Sequence, residues 1–434
     1  MRRIFATCCL VLAVVFSPLS GWAQAPVADG AWTEFRGAGG RGQSVASNIP
    51  KTLANRHFAW KTPVPGRGWS SPVIAENQIW MTTAIEHKAE GSEKVTRIEL
   101  QAVAVDRNDG HLIHQVPLFD VNNPPTLHLR NSYASPTPVI AGDRVFCSFG
   151  TMGLAAIDRK LGKVLWKNEE LKIDHETGAG SSPIVWNNLV FLNYDGIDRQ
   201  LVAAFDAATG KLAWQTKRSG KLHETGMYQK AFSTPVIWDS PQGPQLISAG
   251  ANWVYGYSPT DGQELWKVDY GKLGFSNVPR PLLHQNKLIV CTGYMRSTVQ
   301  AFALPDAENP QPKLLWAVER GGPTIPSPIL VGDLLFMVSD DGIATCVDAE
   351  NGEQVWSERL KGAFAASPIL VEGHLWFCND DGKVFVIEPS RSLNIVATNE
   401  IEDQIMATPA AIDHDLIIRT KSAVICIRNP DPAE

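Results

Sequence analysis

Arg67, Arg130, Lys230, Arg280 and Arg296 lie in irregular stretches between the apolar runs of this 434-residue chain. Together they would make a positive pocket on an acidic protein. Such a pocket suits a carboxylate-bearing ligand, because guanidinium and ammonium groups give charge-assisted hydrogen bonds. Trp69, Asn131, Tyr133 and Tyr294 share the same stretches and could flank that ligand. His128, His175 and His223 precede Pro138, Pro183 and Pro235 by 10, 8 and 12 residues. No ligand spacing of the zinc type accompanies them, so no metal site is expected. Glu176 and Asp195 are the carboxylates placed to act as a base, should the site be catalytic. Asp195-Gly196-Ile197-Asp198 lacks the run of oxygen ligands and the closing Glu of a calcium loop, and reads as a turn.

The chain starts with Arg2 and Arg3, an apolar stretch from Ile4 to Phe16 and the small-residue end Gly21-Trp22-Ala23. That pattern predicts a secretory leader over residues 1–23, cut after Ala23. The apolar run is shorter than the ~20 residues a spanning helix needs, and no later stretch is long enough to anchor the mature chain. Loss of the leader takes the formal charge of −6 to −8 through the two arginines. No basic block interleaves with aromatic residues, which argues against a nucleic-acid partner. Five cysteines remain after the leader: Cys147, Cys291, Cys346, Cys378 and Cys426. The number is odd, so at least one thiol is unpaired within the chain. Their recurring strand positions read as small packing residues.

The elements that must position these side chains are repeats. Each unit opens with Ser or Thr before Pro and a short apolar run, as in Ser71-Pro72-Val73-Ile74 and Thr137-Pro138-Val139-Ile140. Further starts are at Pro183, Pro235, Pro328, Pro368 and Pro409, and Arg280-Pro281 fills the remaining place. A second strand, a third strand ending in Asp, an Asp-x-x-x-Gly turn and a fourth strand follow. The turn recurs at Asp158–Gly162, Asp206–Gly210 and Asp348–Gly352, with a Trp four residues beyond (Trp166, Trp214, Trp356). Trp266 and Trp316 hold the same place, while His114 and Val396 replace Trp in two copies. These rings are expected to dock between neighbouring units, where the indole N–H can find a partner.

Eight starts predict an all-β protein, an eight-bladed β-propeller of four-stranded antiparallel blades. The last unit has room for three strands only. The segment around Trp60 carries the Trp without earlier strands of its own, so it should close the ring as the missing fourth strand. One domain over residues 50–430 follows, with residues 24–49 as a Gly-rich arm packed outside. The long connections fall on one face and hold nearly all the chemically interesting residues, mostly in blades 1–5. A ligand is expected there, offset toward those blades.

The unit of Ser-Pro-Val-Ile, apolar strand, Asp-x-x-x-Gly and Trp resembles the repeat of quinoprotein dehydrogenases, whose cofactor is pyrroloquinoline quinone. It equally resembles the propeller of the outer-membrane barrel assembly lipoprotein, which carries no cofactor. Trp32-Thr33-Glu34-Phe35-Arg36-Gly37 and Gly66-Arg67-Gly68-Trp69 are similar to a quinoprotein-like bacterial subgroup. The resemblance implies one of two functions. The first is an exported scaffold, in the periplasm or secreted, that holds a cell-envelope protein or a small anionic ligand on its looped face. The second is an oxidoreductase of alcohols or sugars using pyrroloquinoline quinone and Ca²⁺. Quinoprotein alcohol dehydrogenases set two adjacent, disulfide-joined cysteines against the quinone, and the mature chain has no adjacent pair. The Cys-x-x-Cys-His haem site of quinohaemoproteins is likewise missing from the sequence.

Overall fold

The computed structural model describes residues 32–271 and 274–430, and the expected leader lies outside them. Eight antiparallel sheets follow one another along the chain, each with its first strand innermost. Blade 1 consists of Val73–Ala75, Gln78–Lys88, Val95–Asp106 and Leu112–Asn122; blade 6 of Ile329–Val331, Leu334–Val338, Ile343–Asp348 and Gln354–Arg359. Second and third strands are apolar almost throughout, because neighbouring blades cover both faces. Leu334–Val338 is buried at every position.

The expected closure is found. Phe58–Pro63 pairs antiparallel with Ala423–Ile427 and completes blade 8 as its outer strand, Trp60 opposite Cys426. The same register recurs around the ring: Trp166 faces Ala156, Trp214 faces Ala204 and Trp356 faces Cys346. A small third-strand residue leaves room for each indole. All five described cysteines are buried and unpaired, and burial pushes their thiols up.

The Trp rings join blade to blade. Trp60 Nε1 donates to Arg107 O at 2.9 Å, Trp166 to Ala207 O at 3.1 Å, Trp214 to Pro259 O at 3.2 Å and Trp316 to Ala349 O at 3.2 Å. Every acceptor lies at the end of the next blade's third strand. The Gly of that blade's turn lies flat on the same ring: a Cβ at Gly210 would sit 2.4 Å from Trp166. Asp builds the turn by capping it, as Asp158 Oδ1 accepts the N–H groups of Lys160 and Leu161 at 3.0 and 2.8 Å. His114 does the same work without an indole, bonding Lys160 O at 3.2 Å under Gly162. Trp266 differs, donating to Gln245 Oε1 of its own blade, because blade 5 has a longer, Pro-rich turn.

The hydroxyl before each proline forms a second joint, nearer the axis. The Ser71 N–H donates to Thr137 Oγ1 at 2.9 Å, Thr137 to Ser182 Oγ at 2.9 Å and Ser182 to Thr234 Oγ1 at 3.0 Å. The belt resumes from Arg280 to Ser327, Ser367 and Thr408, and Thr408 N–H donates back to Ser71 Oγ at 3.1 Å. Its one gap, between Thr234 and Arg280, falls where the repeat lacks its hydroxyl. There Ser233 Oγ donates to Pro279 O at 2.9 Å instead.

The arm overturns its expectation. Described from Trp32 onward, it does not pack outside but threads the central channel. Thr33 O accepts the Ile140 N–H, Arg36 Nη2 donates to Pro328 O at 2.7 Å, and Gln43–Ser44 pairs parallel with Leu370 and Val371. Blade 7 thereby gains a fifth strand. Ser47 N–H then meets Asp413 O at the turn face. The physical reason is apolar burial and charge: Trp32 is 1% exposed, and Glu34 pairs with the buried Arg280 at 2.8 Å.

Candidate binding site

On the looped face the blades surround a cavity of about 630 Å³. Its floor is Phe35, carried up the channel by the arm. Residues of the hydroxyl belt, among them Ser71, Thr137 and Thr408, ring the wall. All eight blades contribute, so the cavity is central rather than offset. The aromatic and charged side chains nevertheless come mainly from the connections of blades 1–5, as the loop lengths implied.

Trp69, His128, Arg130, Asn131, Glu176, Lys230 and Tyr294 line the cavity together. Their charges are matched in pairs. Lys230 Nζ bonds Glu176, and Arg130 Nη2 reaches across to blade 7, where it meets Asp380 Oδ2 at 2.7 Å and Phe364 O at 3.0 Å. Asp340, also in the wall, accepts from the backbone of Thr324 and Ile325 at 3.1 and 3.0 Å. Burial raises the Asp380 carboxyl, and Arg130 pulls it back. Trp69 is only 9% exposed, yet its Nε1 has no partner among the described residues.

The remaining expected residues lie outside the wall. Arg67 stacks over Trp69 at 5.3 Å and donates to Asn131 O at 3.2 Å, so it supports the site from behind. Tyr133 is buried with its hydroxyl on Pro125 O at 2.9 Å. His175 is buried and accepts the Thr151 N–H; burial lowers its pKa to about 4. His223 is exposed, with its ring 4.6 Å from that of Tyr228. Arg280 is held in the channel by Glu34 Oε2, Phe35 O and Pro235 O. Arg296 is exposed at the rim. Asp195 fits no role as base: it is fully buried and bidentate to Arg218 at 2.6 and 2.7 Å. Burial raises its carboxyl and Arg218 lowers it, within a network that passes through Ser248 to Asn193.

Loop polarity did not point to the apolar lining. Phe35, Met227, Phe232, Phe275 and Met406 all face the cavity. A signal existed for Phe232, which adjoins the Ser-Thr-Pro of its unit, and for Phe275, which sits within five residues of Arg280.

Comparison with known proteins agrees with this architecture. The family model described as outer membrane protein assembly factor BamB matches residues 54–196, 100–358 and 250–427. A curated relative of that name from Yersinia pestis is 21% identical over 244 residues, which span 52% of this chain and 57% of the relative. The chain thus aligns with little more than half the length of that relative. Among solved structures, BamB from Moraxella catarrhalis superposes with a TM-score of 0.56 at 11% identity, covering 85% of this chain and all of that one. A europium-containing methanol dehydrogenase gives 0.66 at 12% identity, covering 91% and 90%. At such identities the structural likeness shows the fold alone. The family model spans nearly the whole propeller, and the chain belongs to the BamB-type family of propellers with quinoprotein-like repeats.

Proposed function

We propose that this protein is an exported binding scaffold of the cell envelope, which takes its ligand into the looped-face cavity of the propeller formed by residues 50–430. The observation that carries this reading is the plugged channel. The arm runs along the inner strands and brings Phe35 into the cavity lining, so the looped face is the side on which a ligand would enter. Rigid blades and divergent loops make that face a surface for recognition. The leader-like residues 1–23 and the family support a place outside the cytoplasm.

A photo-crosslinking residue at Met295, on the looped face, tests this in the native host. It is compared with one at Leu161 on the turn face, both being well exposed at 70% and 71%. Adducts from position 295 and none from 161 are expected. Equal labelling, or labelling from 161 alone, would count against the scaffold.

The fold likeness to quinoprotein dehydrogenases raises the second reading. Calcium takes six to eight oxygen ligands, whereas the cavity carboxylates Glu176 and Asp340 are engaged with Lys230 and Thr324. Pyrroloquinoline quinone bears three carboxylates, and the cavity's own cations, Lys230 and Arg130, are already paired. No described cysteine lines the wall. The residues present do not fit this cofactor. Adding the quinone with Ca²⁺ to purified protein is expected to leave the quinone absorption spectrum unchanged.

A further inference from the structure

The third residue before each blade proline lines the cavity in every blade, so one position of the repeat recurs around the wall. Exposure at that position is uneven. Val278 and Ile325, at the entries of blades 5 and 6, are partly exposed. Trp69 and Met406, at the entries of blades 1 and 8, are only 9% and 8% exposed. Phe232 of blade 4 is buried too, but there Gly180 of the blade beside it lies against its Cβ.

A bar across the cavity accounts for the buried pair. Residues 128–131, between blades 1 and 2, are bonded to the entry of blade 3. The His128 N–H donates to Thr177 O at 3.2 Å, and Asn131 Nδ2 donates to the same oxygen at 2.8 Å. From between them the Arg130 side chain runs the other way, to Phe364 O and Asp380 Oδ2 of blade 7. Blades 3 and 7 stand opposite each other in a ring of eight, so this span crosses the axis. Trp69 and Met406 lie on one side of it. On the other side Met227, Tyr294 and Met295 are open, at 43%, 56% and 70% exposed.

The two ends of the bar are held unequally. At the blade 3 end Asn131 is fixed further by Ser135 Oγ, which donates to its Oδ1 at 2.6 Å. The blade 7 end is a single side chain, 29% exposed, on an acid that is 14% exposed. Solvent reaches both partners, so the pair can part without unfolding either blade. Leu129 beside it is 92% exposed, and no apolar packing ties the tip down.

Resting on the reading that a ligand enters the looped-face cavity, we propose that the Arg130 side chain is a gate. Latched on Asp380, it bars the part of the cavity bounded by blades 8 and 1; released, it opens that part to the looped face.

Thiol labelling of the mature chain tests this, because the five described cysteines are buried and burial pushes their thiols up. Met406→Cys places a reporter behind the gate. Val278→Cys places one at the same position of the repeat on the open side. Each is reacted with fluorescein maleimide, alone and combined with Arg130→Ala or Asp380→Ala. The first of these removes the bar, and the second keeps the bar but removes its latch. Both are expected to speed labelling at position 406 by about tenfold, as the open form gains population, and to leave position 278 within about twofold of its parent rate. Unchanged labelling at 406 with either variant would overturn the gate. Equal acceleration at 278 would overturn it as well, since that result means general loosening. The crosslinking comparison reports on partner capture and not on access behind the bar, so the gate and the scaffold reading fail separately.

Discussion

His175 sits beneath the looped face with 8% of its surface exposed and Nε2 accepting the Thr151 N–H at 3.2 Å. Burial disfavours the imidazolium and lowers the pKa from 6.5 to about 4, although Asp174 and Asp198 act in the opposite sense. The sign follows from linkage. Between these two values the unfolded chain binds a proton that the folded chain refuses, so stability is full above pH 6.5 and declines as the pH falls toward 4. The shift corresponds to roughly 3 kcal/mol. His175→Gln keeps an acceptor for Thr151 and does not titrate. Denaturant midpoints at pH 7 and pH 4.5 should therefore lie closer together in the variant than in the parent. A second residue-scale case is Thr137, whose hydroxyl accepts the buried Ser71 N–H. Thr137→Val strands that donor and should cost about 1–3 kcal/mol, while Thr137→Ser should cost far less. The Ser/Thr-Pro pattern was plain in the sequence. Its reason was not, because the partner of each hydroxyl lies a whole blade away.

The fourth strand of each blade is both a strand and a clamp. Its Trp covers a small residue of its own blade and bonds the turn of the next, so a blade is completed by its neighbour. This explains the copy that departs from the pattern. In blade 7 the register of the Trp falls on Ala397, opposite Val386, and not on the exposed Val396 beside it; blade 8 beyond takes its third and fourth strands from distant parts of the chain and forms no Asp-x-x-x-Gly turn for a ring to dock on. The closing strand was legible because the last unit lacked one strand and Phe58–Pro63 had the Trp of that strand. Trp60→Ala removes the ring from the joint between blades 8 and 1 and leaves the space above Gly110 empty. A loss of about 3–5 kcal/mol is expected from the cavity and the lost packing. Trp60→Phe, which gives up mainly the bond to Arg107 O, should lose less. Denaturant unfolding of the two variants measures both, and equal losses would mean that the hydrogen bond, not the ring, holds the joint.

At the scale of the whole molecule, the ring is closed at its outer edge by one segment and along its axis by another, and the two are consecutive in sequence. Blade number and closure could be read because repeats state them many times over. The plug could not, since it occurs once, has no period, and makes contacts such as Arg36 to Pro328 and Gln43 to Leu330 that span nearly 300 positions of sequence. Glycines in such a stretch read as flexibility, whereas here they let backbone pass close to arginines. Gly39 and Gly40 separate the two effects. Both hold positive φ, 62° and 69°, so a side chain at either strains the backbone by about 1–2 kcal/mol. At Gly39 a Cβ would meet nothing nearer than Arg41 Nε at 3.8 Å, but at Gly40 it would fall 2.2 Å from Arg280 Nη1. Arg280 cannot yield without leaving Glu34 and the Phe35 carbonyl, and those contacts hold the cavity floor in place. Gly39→Ala should therefore lower stability slightly and leave ligand binding intact. Gly40→Ala should lower it further, by several kcal/mol if Arg280 loses its buried acid, and should expose Trp32 to acrylamide quenching as the plug shifts. Equal effects of the two substitutions would mean that the arm is held by its backbone alone, and that Arg280 and Glu34 do not secure the floor of the binding site.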